Sequence, residues 1–349
     1  MGDPEPDFTG CTFREIGAEF EPVRKTLTCA FAAKVEAGRR SAKNKFHKEK
    51  ASMATLPKYD LLEVPWTDVA AWIKAGNDVV MIPIGSMEKH GHHVPLGVDS
   101  YTTMGSVERA AVKADVPYTP LMPFGVSPHH MGEAGWGTGT VSLPFETYRH
   151  VLYAIGRSLI FSGFNKLIFV SHHGTNMQPQ GEVLRTLRAE TGCFCAFYKT
   201  PTERECAVVA DLMTGPAEET PGWHAGELET STCMAYMKEK GTYEGSIMME
   251  RGQPDRAHAP KWMGPKFTKR DGTNTVIFQG SENIFIPMLH HEYSDTATIG
   301  NPQRSSVEQG VAVFERISDH LAAFLEEVKK FPFQVPAEKR DWPGRFWRG

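Results

Sequence analysis

An apolar run, DVVMIPIG at 78–85, gives way at once to a polar loop, SMEKHGHHVPLGVDS at 86–100. A short apolar run rich in β-branched residues reads as a buried strand. The loop then lies at a strand end. Residues two apart in extended backbone point the same way, so Glu88 and His90 project together. The Pro95-Leu96-Gly97 turn swings Asp99 back towards them. A carboxylate, an imidazole and a second carboxylate converging there make a divalent metal site. The two oxygens of Asp99 suit it to bridge two ions ~4 Å apart. One His beside one Glu is more often a surface ion pair. Against that stand His92 and His93 in the same loop, and two further His-rich loops, SHHGTN at 171–176 and GWHAGELETS at 222–231.

From Leu61 onward, strand and helix patterns alternate. WTDVAAWIKAG predicts a short amphipathic helix with Thr67 as N-cap and Gly76 as its stop. SYTTMGSVERAAVKAD, MQPQGEVLRTLRAETG, ELETSTCMAYMKEKG and SVEQGVAVFERISDHLAAFLEEVKKF also read as helices. In ETYRHVLYAIGRSLIFSGF, the spacing of Val151, Leu152, Ile155, Leu159 and Ile160 predicts a core-facing stripe. TPLMPFG, KLIFVS and CFCAFY read as strands beside DVVMIPIG. The alternation implies an α/β fold, a three-layer sandwich with a mostly parallel central sheet. Sites in such sheets form at the carboxyl ends of strands. The His-rich loops fall after two of the strands and at a helix entrance.

With 349 residues and 40% hydrophobic residues, the chain can build one large domain or two small ones. A formal net charge of -4 gives no nucleic-acid footprint. The six cysteines form no C-x-x-C pair and read as reduced thiols of a cytoplasmic enzyme. No apolar run reaches the ~18 residues of a membrane span. The start, MGDPEPDFTG, lacks the basic-then-apolar pattern of a signal peptide. Residues 1–55 form an N-terminal extension, either a helical arm or a flexible segment, and Met53 is a plausible natural start. Residues 56–335 form the body and 336–349 a C-terminal tail.

The polar motifs, in order, resemble the creatininase (creatinine amidohydrolase) family. Its pattern runs G-x-x-E-x-H-G-x-H-x-P-x-x-x-D, then N-G-H-x-x-N, then H-x-G-x-x-E-T-S. The chain supplies GSMEKHGHHVPLGVD, SHHGTN and HAGELETS. SPHHMGEAGWGTGTVSL and SDTATIGNP resemble two further family segments. The resemblance spans roughly residues 60 to 330. It implies that Glu88, His90, Asp99, His173 and Glu229 hold two divalent ions per chain, Zn, Mn or Fe, with Asp99 between them. A shift of one in the second loop would make His172 the ligand instead of His173. Thr175 stands where creatininase has a metal-binding Glu, and Thr is a poor ligand for these metals. Either Glu229 completes the second site or the second ion is held weakly.

The implied reaction is hydrolysis of a small polar cyclic metabolite. A bridging hydroxide would open the C–N bond of a cyclic amide or formamide, or the C–C bond of a cyclic ketone such as an inosose. A non-enzymatic metal-holding scaffold is the reading from another class. His224 matches the family's proton shuttle, unless it only caps the next helix. Glu227 either orients His224 or is a first-turn acid. His129 and His130 either wall the substrate, with one of them, taken as His130, polarising its carbonyl, or simply stack in their loop. Trp136 and Trp223 are expected to wall the substrate, with core packing as the alternative. His93 is expected to support the ligands, and His92 to be exposed. Ser127, Thr138 and Asn176 would suit a hydroxyl-rich ligand or simply form turns. His290 and His291 have no assigned role, and a third metal site there is not expected. The resemblance also implies a homo-oligomer, commonly a hexamer, with no nucleic-acid or membrane partner.

Overall fold

Every residue of strand β1 (Val79–Ile84) is buried, because helices cover both faces of the sheet it belongs to. The computed structural model describes residues 56–203, 207–215, 223–269 and 275–341. The expected N-terminal arm at 1–55 lies outside the described residues, as does most of the expected C-terminal tail.

β1 pairs in parallel with β2 (Lys166–Ser171), which pairs in parallel with β3 (Phe194–Lys199). The helices are α1 (Trp66–Lys74), α2 (Val98–Ala114), α3 (Phe145–Ser162), α4 (Met177–Thr191), α5 (Glu227–Glu239), α6 (His290–Tyr293) and α7 (Val307–Lys329). Strand alternation divides the core in two. Val79, Met81, Ile168 and Val170 pack with Val107 and Ala111 of α2, Leu228 of α5 and Ile317 and Leu321 of α7. Val80, Ile82, Leu167 and Phe169 pack with Tyr148, Leu152 and Ile160 of α3 and Val183 and Leu187 of α4. This is the expected three-layer α/β arrangement. Each such fully buried side chain contributes about 1.5–3 kcal/mol of transfer free energy.

Several local expectations need correction. TPLMPFG does not form a full strand. It meets β1 through an isolated parallel bridge at Ile84–Met122, and Tyr118 just before it bridges Met81. Pro120 and Pro123 have no N–H to extend the ladder. α1 begins at Trp66 after Pro65, so Thr67 lies inside it rather than capping it. Val151 is exposed; the buried line of α3 runs through Tyr148, Leu152, Gly156 and Ile160. The structure adds an antiparallel sheet of β4 (Phe267–Lys269), β5 (Thr275–Phe278) and β6 (Ser281–Phe285) that the strand patterns do not announce. No helix among the described residues is long and apolar enough to cross a membrane.

The topology sends three chain segments to one end of the sheet. β1 runs into the loop of Glu88 and His90, and α2 starts just before Asp99. β2 ends at Ser171, immediately before His172 and His173. α5 begins at Glu227, carrying Glu229 in its first turn.

Candidate metal centre

Two buried triads share one residue. Glu88, Asp99 and His173 bring ligand atoms within 4.8 Å of one another, and so do His90, Asp99 and Glu229. His173 Nδ1 lies 3.3 Å from Glu88 Oε1 and 3.4 Å from Asp99 Oδ2. His90 Nε2 lies 3.8 Å from Asp99 Oδ2 and 3.6 Å from Glu229 Oε2. All five residues are at most 5% exposed.

Hydrogen bonds behind the rings settle which nitrogens face inward. The Val126 carbonyl accepts from His173 Nε2 at 3.0 Å, and the Glu88 carbonyl accepts from His90 Nδ1 at 3.2 Å. A carbonyl oxygen only accepts, so those nitrogens carry the hydrogens. His173 Nδ1 and His90 Nε2 are therefore the nitrogens turned to the carboxylates. His90 Nε2 and Asp99 Oδ2 are buried without any hydrogen-bond partner. Carboxylate oxygens and ring nitrogens gathered in a dry interior are costly unless a proton or a metal cation lies between them. The donor set, two imidazoles and three carboxylates, fits Zn²⁺, Mn²⁺ or Fe²⁺.

The electrostatics agree. Burial alone disfavours a charged His173, but Glu88 and Asp99 outweigh it and hold its pKa well above the ordinary imidazole value. His90 is raised in the same way, burial being overcome by Asp99, Glu229 and Glu88. Glu88 is held well below the carboxylate range, its burial outweighed by His173 and His90. The three acids draw positive charge onto whatever stands among them.

Surrounding residues fix the acids. His172 is not in either triad; its Nε2 bonds Glu229 Oε1 at 2.8 Å and its Nδ1 meets Thr200 Oγ1. The Ala225 N–H donates to Glu229 Oε2. Ala225 itself has φ +52, a strained left-handed turn that carries the chain from His224 into α5. Gly91, at φ +56, makes the corresponding turn after His90, and a Cβ there would stand 2.8 Å from His93 and Thr298. His93 Nε2 bonds Thr230 Oγ1 at 2.9 Å, behind the site, and His92 is exposed. Thr175 is half-buried.

A wall of further rings stands beside the triads. His224 stacks on His90 with centroids 4.2 Å apart and on His130 at 4.7 Å. His130 Nε2 lies 3.3 Å from Glu88 Oε1. His129 lies against His130 at 4.0 Å. Burial holds His130 and His224 well below the ordinary imidazole pKa and His129 at about 4, so all three rings are neutral at pH 7. Trp223 lies 6.2 Å from His224, and Trp136 covers the Lys89 ammonium.

Two residues gain a place here that the sequence does not assign them. His290 Nδ1 and His130 Nδ1 are 2.8 Å apart, and beside the two triads stand two further metal-capable groups, His130–His224–His290 and Glu88–His90–His224. The MLHHEYSD stretch lies far along the chain from the other loops, and only the adjacent His pair marks it. Lys89 looks in the sequence like no more than the spacer between Glu88 and His90. The contact between Glu227 and His224, one of the two readings the sequence leaves open, is not formed, and Glu227 is a buried first-turn acid of α5. Glu227 Oε1 instead accepts from Thr214 and Gln309, while His224 Nε2 donates to the Lys89 carbonyl. Ser127, Thr138 and Asn176 are committed internally. Ser127 Oγ lies between Ser86 and His173, Thr138 bonds within its own turn, and Asn176 ties Val126, Gly85 and Ser171.

Comparison with known proteins agrees with this geometry. The family model for creatinine amidohydrolase matches residues 62–325. The creatinine amidohydrolase of Pseudomonas putida is 30% identical over 189 residues, covering 50% of this chain and 70% of the relative. The 3-dehydro-scyllo-inosose hydrolase of Thermotoga maritima is 26% identical over 176 residues, 46% of this chain and 51% of that protein. A mycofactocin precursor peptide peptidase of Mycobacterium ulcerans is 32% identical over 120 residues, 32% of this chain and 46% of the peptidase. The chain thus aligns with about half the length of the last two. Among solved structures, a crystal structure of creatinine amidohydrolase (creatininase) superimposes with TM-score 0.59 and 22% identity, over 79% of this chain and 99% of the other. A manganese form of creatininase matches with TM-score 0.59 and 22% identity, over 78% and 100%. These likenesses show the fold. Together with the family match over most of its length, they show that this chain is a hydrolase of the creatininase family.

Proposed function

We propose that this chain is a binuclear metal-dependent hydrolase that opens a C–N bond of a small cyclic amide or formamide. The observation that carries the reading is Asp99, common to the two buried groups that pair two carboxylates with one imidazole, with its Oδ2 and the facing His90 Nε2 unpartnered. Glu88, Asp99 and His173 would hold one ion; His90, Asp99 and Glu229 the other. Glu229 takes the place that Thr175 cannot fill. Two divalent ions, when bound, would ionise water near neutral pH and polarise a carbonyl.

The chain's own residues do the rest. His224 is neutral because it is buried, and its Nε2 hydrogen is fixed on the Lys89 carbonyl. Its Nδ1 is free to take a proton from water and return it to the departing nitrogen. His130 turns Nε2 towards Glu88 and the same space, where it can donate to the substrate oxygen. His290 backs it through the contact between the two Nδ1 atoms. His129, Trp136 and Trp223 form walls that limit entry of water. His172 and the Ala225 N–H hold Glu229 in place.

C–C ring opening of a cyclic ketone is the second reading, favoured by the similarity to the Thermotoga maritima inosose hydrolase. The same His224 proton transfer would serve it. A scaffold role draws no support from the family. The deciding experiment assays creatinine beside other cyclic amides, formamides and inososes, with zinc- and manganese-loaded protein. Turnover of one of these, with little on creatinine, is the expected result. Creatinine turning over fastest, or no hydrolysis in the whole set, would overturn the substrate reading.

A further inference from the structure

Lys89 sits between two candidate metal ligands and is only 7% exposed. Its ammonium lies 4.7 Å from the centroid of the Trp136 ring. Its hydrogen bond to protein is a long one, 3.4 Å to the His130 carbonyl. Among the described residues no carboxylate pairs with it, and the adjacent Glu88 is turned to His173 and His130. The backbone on either side is pinned, its N–H donating to Thr140 Oγ1 and its carbonyl accepting from His224 Nε2. The side chain is thus held along the wall formed by His129, His130 and Trp136, and its charge is felt at His129, His130, His224 and His290.

Lys166 shows how this fold treats a buried ammonium elsewhere. At 4% exposed, it is paired with Asp78 at 3.0 Å and with the Lys329 carbonyl at 2.9 Å. Removing an ammonium from water is costly unless such partners replace the water. Lys89 has three donors, one long acceptor and an aromatic face. Its missing partner is an anion, and the ammonium lies against His130 and Trp136, beside the triads.

We propose that Lys89 binds a carboxylate carried by the substrate, so that this site takes small cyclic amides or ketones bearing one acid group. The assignment rests on the hydrolase reading of the same site and names its substrate class. An uncharged ring such as creatinine would leave Lys89 unpaired, which disfavours it.

Hydroxamic acids test this, because they chelate divalent ions whatever the natural substrate is. Acetohydroxamate and the monohydroxamates of malonic, succinic and glutaric acid are titrated calorimetrically into zinc-loaded protein. The best carboxylate-bearing probe should bind roughly 10- to 100-fold tighter than acetohydroxamate, the range for a hydrogen bond to a charged group. Lys89→Gln should abolish that gain and leave acetohydroxamate binding unchanged, and Lys89→Arg should retain part of it. Equal binding of all probes to the unmodified protein overturns the proposal without any variant, and so does a gain that survives Lys89→Gln. Failure of every hydroxamate to bind would instead overturn the metal-centre reading, and the proposal with it.

Discussion

His224 turns its Nε2 to the Lys89 carbonyl, 2.9 Å away, and its Nδ1 towards Glu88 Oε1 at 4.0 Å. The first contact fixes the tautomer and the second aims the basic nitrogen at the triads. His224→Ala should leave metal content intact and lower turnover by roughly 10²-fold or more, the range for losing a general acid or base. Elemental analysis alongside steady-state kinetics checks both halves. Loss of metal would make His224 a ligand, and unchanged turnover would make it a packing residue.

Asp99 alone belongs to both the Glu88–His173 and the His90–Glu229 groups. Asp99→Ala should therefore strip more metal, and more activity, than Glu88→Ala or Glu229→Ala. The three variants are compared by metal content after identical purification. An Asp99→Ala protein that keeps two ions and near-normal turnover contradicts the bridge.

Metal affinity should rise with pH. In the metal-free site the acids hold the pKa values of His173 and His90 above the ordinary imidazole value. A protonated imidazole cannot ligate, so each proton must leave before or as the ion binds. At pH values below these raised pKa values, apparent affinity should fall by about tenfold per pH unit for each proton displaced. The dependence should flatten once both rings are neutral. Titrations across neutral pH in buffers of different ionisation enthalpy measure the protons released. Affinity that does not change with pH would exclude both rings as ligands.

Glu227 should act on stability rather than on chemistry. Its Oε1 accepts from the Thr214 backbone and hydroxyl and from Gln309 of α7. Glu227→Ala leaves those donors unpaired, at a cost of about 1–3 kcal/mol. Thermal melting should show the loss, while kcat per folded molecule stays within a few-fold. A kcat drop comparable to that of His224→Ala, with unchanged melting, would restore Glu227 as its orienting partner.

Much of the fold and of the metal centre is legible in the amino-acid sequence, for physical reasons. Parallel strands buried on both faces are near-continuous apolar runs, so VVMIPI and KLIFVS stand out. Extended geometry puts Glu88 and His90 on one side, and the turn before α2 returns Asp99. The choice between His172 and His173 is not legible there. It depends on which ring meets Asp99 and which meets Glu229 across α5, a tertiary fact. The rotation of α3 that exposes Val151 is hidden because five apolar positions allow more than one buried line. Lys89 is hidden because its meaning lies in the partner it lacks, and burial without a counter-ion leaves no mark on residue spacing.

The most direct test is the metal content of the purified chain. Five buried ligand candidates arranged as two triads around Asp99 predict close to two divalent ions per chain after gentle purification. Elemental analysis should find them, and a chelator should remove both the ions and the hydrolytic activity. Trace metal only, with hydrolysis unaffected by chelator, would contradict the account.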